Sequence, residues 1–181
     1  MRSRLVKEIT FNAIGIALYA VLGMTMKIPL IGHIGLDLGY VVFGCWLFLL
    51  GRSATVVGVI GCMLESLLIS GWIPIGWMAG QIVIGMICGY CYFMNNGSRL
   101  FVPDRKAAIE NMIITCFTIL IGVGIVKTLI ECALYNIPFE VKVVKNLIAC
   151  IADSITMILG YKIGYTYYDT RLNKLRGMWG L

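Results

Sequence analysis

Six long apolar runs, separated by short polar, glycine- or proline-bearing breaks, constrain this chain more than any other feature of its sequence. A helix needs about 20 apolar residues in succession to cross the hydrocarbon core of a bilayer. The runs fall at about Ile9–Ile28, Leu38–Leu50, Ala54–Ser70, Ile75–Met94, Ala107–Leu134 and Val141–Tyr165. Only 13% of the residues are charged and 60% are apolar. A soluble domain of this size could not bury that excess, so lipid must cover it. The expected architecture is an all-α membrane protein. Residues 1–181 form a single domain, a bundle of six transmembrane helices. The basic N-terminus leads into a long apolar run with no small-residue cleavage site after it. We read this as a retained first helix and not as a signal peptide.

The breaks set the connectivity. Pro29 stops the first run, and a loop containing Gly32, His33, Gly35 and Asp37 follows. Gly51-Arg52-Ser53 is so short that the second and third helices must form an antiparallel hairpin. Gly71-Trp72-Ile73-Pro74 ends the third run, and proline suits the first turn of the fourth helix. Residues 95–106 are a polar loop, residues 135–140 a short one with Pro138, and residues 167–181 a polar, basic tail. Lysine and arginine near helix ends set orientation. Arg2, Arg4, Lys7, Arg52, Arg99, Arg105, Lys106, Arg171, Lys174 and Arg176 fall on one side, with Lys162 close to it; Lys27, Lys142 and Lys145 fall on the other. Both termini are therefore expected in the cytoplasm, in a multi-pass protein of a prokaryotic cell membrane. The loops at 29–37, 71–74 and 135–140 then face outside. Orientation accounts for the net charge of +6. The basic residues form no aromatic-interleaved stripe of the kind that binds nucleic acid, and no nucleic-acid partner is expected. No internal repeat marks an inverted-repeat transporter.

Ionisable side chains within a bilayer are costly and mark functional sites by default. Glu65, Lys127, Glu131 and Asp153 fall inside the runs, with Gln81, Lys145 and Asn146 near them. Lys127 and Glu131 stand i, i+4, on one face of the fifth helix. On the sixth, Lys142, Lys145, Asn146, Ala149 and Asp153 share one broad stripe. Counting back from the intervening loop sets Glu131 level with Val144 or Lys145, and Lys127 level with Ala149 or Cys150. The two stripes could line a common cavity open to the outside. Alternatively, Lys127 with Glu131, or Glu131 with Lys145, could be an ion pair that only fixes helix packing, and Lys142 and Lys145 could snorkel to the interface. Glu65 reads as lying away from the stripe. Trp72, Trp77, Tyr135 and Phe139 crowd the outer helix ends, either as an interfacial belt or as a stacking lid over a flat heterocycle. Trp77 and Gln81, i, i+4 on the fourth helix, would offer a ring and an amide. The expected substrate-binding set is Lys127, Glu131, Asn146, Asp153, Trp77, Gln81, Trp72, Lys145, Tyr135 and Asp37.

Other chemistries find less support. One histidine and Asp37 in the first outer loop do not make a metal site, so neither metal nor cofactor is expected. The seven cysteines all lie in apolar runs, where free thiols pack as small hydrophobes. Cys88-Gly-Tyr-Cys91 could mark a membrane thiol oxidoreductase, but it falls near the cytoplasmic helix end with no second outer pair to pass electrons. There is no phosphate-binding loop, so the chain does not itself use ATP. It also offers no serine–histidine or H-E-x-x-H pairing, and it is not expected to be an enzyme. Ala13-x-x-x-Ala17 with Gly15 and Ala20 makes a small-residue face that suits close helix packing, within the bundle or onto another membrane protein.

An ordered set of segments resembles the substrate-binding S components of energy-coupling factor (ECF) transporters. It consists of Ala13-x-x-x-Ala17, Leu36-Asp37-Leu38-Gly39-Tyr40, Phe48-Leu49-Leu50-Gly51, Val57-Gly58-Val59-Ile60-Gly61, then Gly76-Trp77 and Ile84-Gly85. Order and spacing are most similar to the riboflavin-type branch, with Arg52 where many members carry proline. The resemblance implies six helices with cytoplasmic termini and an outer ligand pocket built from helices four to six and the outer loops. It also implies docking of Ala13 and Ala17 onto a membrane scaffold T subunit driven by two cytoplasmic ATPase subunits. The expected function is capture of a vitamin or vitamin-like heterocycle (a flavin, a pyridoxine-type vitamin or a queuosine precursor) and its delivery to that module. The alternatives are a membrane thiol oxidoreductase using Cys88 and Cys91, or a stand-alone facilitator.

Overall fold

The computed structural model describes the backbone of residues 2–25, 28–31, 34–95 and 105–179, and the side chains of residues 5–25, 36–92 and 106–167. His33 and Arg99 lie outside the described residues, as do the side chains of Arg2, Arg4, Lys27, Arg105, Arg171, Lys174 and Arg176. The described chain is helical apart from one short hairpin. Five helical stretches are long and apolar enough to cross a bilayer: Leu5–Thr25, Gly39–Ser70, Ile75–Tyr92, Lys106–Tyr135 and Phe139–Tyr167.

Helix α1 (Arg2–Thr25) begins seven residues before the expected Ile9, because Arg, Leu, Val, Lys and Glu are all tolerated in a helix. The chain is already extended ahead of Pro29, which disfavours helix in the residue before it. The connection between α1 and the next helix is a two-stranded antiparallel hairpin, β1 (Ile28–Ile31) and β2 (Ile34–Leu36), where a plain loop was expected.

Helices α2 (Gly39–Leu50) and α3 (Thr55–Ser70) make up the Gly39–Ser70 stretch. Gly51 breaks it with φ 65° and ψ −140°, a conformation glycine adopts at little cost, and a 3-10 turn over Gly51–Ala54 follows. The two halves then fold back on each other, with the Phe43 ring packed onto Gly58. The Gly51 turn thus makes the hairpin that the tight sequence break implied.

Helix α4 (Ile75–Asn95) is followed by α5 (Arg105–Ile119), which runs through a π-helical segment at Leu120–Lys127 into α6 (Thr128–Tyr135). Thr128 Oγ1 donates to the Val123 carbonyl at 3.3 Å, five residues back, as the wider turn allows. Asn136, at φ 49°, ends α6 in the left-handed conformation common at helix C-termini. Helix α7 (Phe139–Trp179) continues well past Tyr165, through the segment read from sequence as a tail. Residues 167–176 contain no glycine or proline to stop it.

Without a hydrophobic force between helices in lipid, close packing holds them together. Helix α2 meets α7 backbone to backbone: a Cβ at Gly44 would strike the Met157 carbonyl, and one at Gly160 would strike the Val41 carbonyl. Trp46 fills the space over Gly15 of α1, donates its indole N–H to the Phe11 carbonyl at 2.9 Å and stacks on the Phe11 ring. The core gathers Tyr19, Tyr40, Phe43, Leu47, Val57, Ile84, Ile119, Val123, Met157 and Tyr161. Exposed Ile, Leu and Val side chains cover the outside, as a lipid-facing surface requires.

At one end of the bundle several buried polar groups pair with one another. Asn111 donates to the Tyr161 hydroxyl at 3.1 Å, Tyr92 bonds Thr115, and Cys88 Sγ lies 2.9 Å from Thr118 Oγ1. The opposite end, where the β hairpin and the α3–α4 and α6–α7 connections meet, is built differently.

Substituting Gly160 with valine should force α2 and α7 apart and cost about 1–3 kcal/mol. Thermal unfolding in detergent should show a clear drop for G160V and almost none for I151V at the exposed Ile151.

Candidate functional site: a charged cavity between α6 and α7

Two helices bring the ionisable residues together, and the turn between them sets the register. Because α6 ends at Tyr135 and α7 starts at Phe139, the chain reverses about Asn136 and Ile137. Lys127 Nζ donates to Asn146 Oδ1 at 2.6 Å, and Lys142 Nζ pairs with Glu131 Oε2 at 2.9 Å. The register is thus about one helical turn nearer the loop than counting from sequence placed it. Glu131 meets Lys142, not Lys145.

Lys127 is buried and held from several directions. Besides Asn146, it has Glu131 Oε1 at 3.8 Å and the Trp77 ring, whose centroid lies 3.6 Å from Nζ. A cation over an aromatic face is favourable, more so away from water. Asn146 Nδ2 in turn donates to Thr128 Oγ1 at 2.8 Å. The π segment carries Lys127 at its end. Its Gly122 and Gly80 of α4 lie so close that a Cβ on either would come within 2.8 Å of the other's carbonyl oxygen. That contact brings Trp77, one turn away on α4, against Lys127.

These side chains line a cavity of about 450 Å³, within the usual range of small-molecule sites. Of the expected set, Lys127, Glu131, Asn146, Asp153, Trp77, Trp72, Lys145, Tyr135 and Asp37 all line it. The expected set left out Ser66, Ser70, Pro74 and Gly76, and also Lys142 and Ala149, which the stripe on the sixth helix already carried. The i, i+4 pair Ser66 and Ser70 beside Glu65, and the place of Lys142 on the α7 stripe, were the available signals.

Depth is graded. Trp72 and Tyr135 are 49% and 41% exposed and meet edge to face at 5.8 Å, bridging the α3–α4 connection and the end of α6 at the mouth. Lys145 is exposed beside them. Asn146 and Asp153 lie at the floor, 1% and 2% exposed.

The floor is lined by carboxyl groups. Asp153 is buried beside the Tyr40 hydroxyl. Asp37 accepts the Gly39 N–H at 2.8 Å. Glu65 reaches Asp37 across Gly23, where an added Cβ would meet Glu65 Oε2 at 2.6 Å and Asp37 Oδ1 at 3.2 Å. Glu65, Asp37 and Asp153 therefore share one electrostatic neighbourhood, which corrects the reading of Glu65 as remote.

Two other expectations change. Gln81 does not line the cavity: it is buried one turn along α4 from Trp77, where its amide donates to the Tyr19 hydroxyl of α1 at 3.1 Å. Trp77 has one ring face covered by Lys127, so only the remaining surface is available to a guest. Cys88 is buried against Thr118 at the far end of the bundle. Among the described residues no group of His, Cys, Asp and Glu is arranged to hold a metal ion. Charges, amide, hydroxyls and rings in this arrangement can bind a polar molecule; they contain no nucleophile–base pair.

The comparisons with known proteins agree with this architecture. The chain is 23% identical over 165 residues to a UPF0397 protein of Streptococcus thermophilus strain LMD-9, covering 88% of each chain. It is 22% identical over 165 residues to a second UPF0397 protein, from Streptococcus thermophilus strain CNRZ 1066, again with 88% of each covered. Among solved structures it is similar to the S component for biotin from an ECF-type ABC transporter. There the TM-score is 0.60 at 21% identity, over 93% of this chain and 94% of that one, so the fold is shared. The family profile described as "ECF-type riboflavin transporter, S component" matches residues 4–169. This membrane protein accordingly belongs to the family of ECF-type riboflavin transporter S components.

Proposed function

We propose that this chain is the substrate-capturing subunit of an ATP-driven micronutrient importer. In this reading residues 1–181 are one domain with six membrane crossings, the fold-back at Gly51 supplying two of them. Both termini face the cytoplasm, and the cavity opens outward. The basic residues of the opposite end support this orientation under the rule that cytoplasmic loops carry the excess of lysine and arginine.

The ligand is a vitamin or vitamin-like heterocycle; a flavin, a pyridoxine-type vitamin and a queuosine precursor have the ring and polar edges the lining calls for. One observation carries the reading: a cavity of about 450 Å³ lies between apolar helices yet is lined by six charged side chains, Asp37, Lys127, Glu131, Lys142, Lys145 and Asp153. Packing alone would favour matched or apolar residues there, since breaking even with buried charge is difficult. Lys127, Asn146 and Asp153 would hold the polar edge of the ligand. Trp72, Tyr135 and the uncovered part of Trp77 would contact its ring.

Release into the cell requires partners. Ala13 and Ala17 are exposed on α1, the stretch with the least of its surface buried in the bundle. This small-residue face would dock onto a membrane scaffold T subunit, itself driven by two cytoplasmic ATPase subunits. The biotin S component with the same fold is named as part of an ECF-type ABC transporter, which supports such a partnership.

Mass spectrometry of small molecules carried through purification in detergent should find a heterocycle retained by the wild-type chain. Lys127→Met, which keeps the side-chain volume, should weaken retention roughly 10- to 100-fold, the usual range for loss of a charged hydrogen bond. Equal retention by K127M would place the ligand elsewhere. Ala17→Leu should leave retention unchanged but abolish co-purification with a T subunit and its ATPases. Intact co-purification would remove α1 as the docking face.

A further inference from the structure

Three lysines line the cavity, and among the described residues one carboxylate pairs with them. Lys127, Lys142 and Lys145 all contribute to its wall. Glu131 takes Lys142 at 2.9 Å and Lys127 at 3.8 Å. It also lies against the start of α4, whose first turn has no acidic residue: a Cβ on Gly76 would meet Glu131 Cγ at 3.0 Å. A carboxylate is favourable at a helix N-terminus, so Glu131 is shared already. Lys145 forms no ion pair among the described residues and stands exposed at the mouth. Its own helix offers it no carboxylate within a turn: the residues three and four positions away are Val141, Lys142, Ile148 and Ala149. Glu140, in the first turn of α7, is exposed and not among the lining residues.

Membrane orientation and helix stability do not account for these lysines. In the orientation proposed above this end faces outside, where lysine and arginine are depleted. Lys142 stands in the first turn of α7, where the helix dipole disfavours positive charge. Lys142 and Lys145 are three residues apart and share one face of α7, and that face lines the hollow. The other lining carboxyl groups are placed elsewhere. Asp37 accepts the Gly39 N–H where α2 begins. Asp153 lies eight residues beyond Lys145, roughly 12 Å along the helix, buried beside Tyr40. The mouth of the cavity is therefore positive on its α7 side.

We infer that the ligand carries an anionic group, a carboxylate or a phosphate, held at the mouth by Lys145 with Lys142 beside it, while its ring lies inward beside Trp77. The inference rests on the reading of this cavity as the ligand site. Exposed Lys145 attracts the anion from solution, and the bound anion supplies the second negative charge that Glu131 cannot. An uncharged heterocycle leaves Lys145 unmatched, and a cation meets two ammonium groups at the entrance, so the arrangement selects against both. Among flavins, pyridoxine-type vitamins and queuosine precursors, the forms bearing an anionic group are the ones that fit.

The test is a thermal-shift screen of the full chain in an uncharged maltoside detergent, followed by calorimetric titration of any stabiliser. The probes are pyridine-, pteridine-, purine- and isoalloxazine-type heterocycles, each as a matched pair with and without one carboxylate or phosphate, at equal concentration. Stabilisation should come from the anionic members alone. Lys145→Gln should weaken that binding roughly 10-fold, the low end for a hydrogen bond to a charged group. Lys145→Glu should weaken it further, and Lys145→Arg should restore most of it. Because Lys145 is exposed, these variants should fold as the wild type does. Lys7→Gln, on the exposed start of α1, should change nothing. An uncharged probe binding as tightly as its anionic partner overturns the inference, as does an anionic probe indifferent to K145Q and K145E. Equal, Lys145-dependent stabilisation by the short-chain lipid dihexanoylphosphatidylglycerol also overturns it, assigning the lysine to a lipid headgroup. If no probe of either kind stabilises the chain, the ligand-site reading itself fails, a result distinguishable from binding with the wrong charge preference.

Discussion

Lys127 organises the cavity end of this molecule. An ammonium group among apolar helices needs compensation, since charge near the bilayer interior is expensive. Here compensation comes from Asn146 at 2.6 Å, Glu131 at 3.8 Å and the Trp77 ring at 3.6 Å. Those contacts tie α4, α6 and α7 together at one level. The π segment ending at Lys127 and the glycine contact between Gly80 and Gly122 bring the three helices close enough to make them. One costly charge thus fixes the register of the helices around the cavity.

The two ends of the bundle contrast in how polar groups are handled. At the far end, Asn111, Tyr161, Tyr92, Thr115, Cys88 and Thr118 satisfy one another between α4, α5 and α7. That network rigidifies the bundle without a cavity. At the near end the charges surround a hollow of about 450 Å³. Buried polar networks are stabilising when complete and costly when not. The hollow at the near end is what the far end lacks among the described residues.

Much of this was legible in the sequence. The apolar runs located the helices, because bilayer thickness sets the length of apolar chain each needs, but not the polar extensions of α1 to Arg2 and of α7 to Trp179. The i, i+4 spacing of Lys127 and Glu131 and the stripe on α7 named seven of the cavity-lining residues, since helical periodicity sets which side chains share a face. What could not be read was geometry that depends on backbone detail. The turn at Asn136 shifted the pairing of α6 and α7 by one turn, giving Glu131 to Lys142. The i, i+4 relation of Trp77 to Gln81 held, but the amide turned to Tyr19 of α1, a tertiary contact with no local signature. Glu65 looked isolated because its neighbour Asp37 lies 28 positions earlier and is brought beside it only through the close approach at Gly23.

A crystal structure of the chain together with the small molecule that stays bound through purification tests the account most directly. The account calls for ligand density between Trp77, Lys145 and Asp153, with a polar ligand atom within about 3 Å of the Asp153 carboxyl group. A cavity closed by its own side chains, or occupied by a lipid tail, would contradict it.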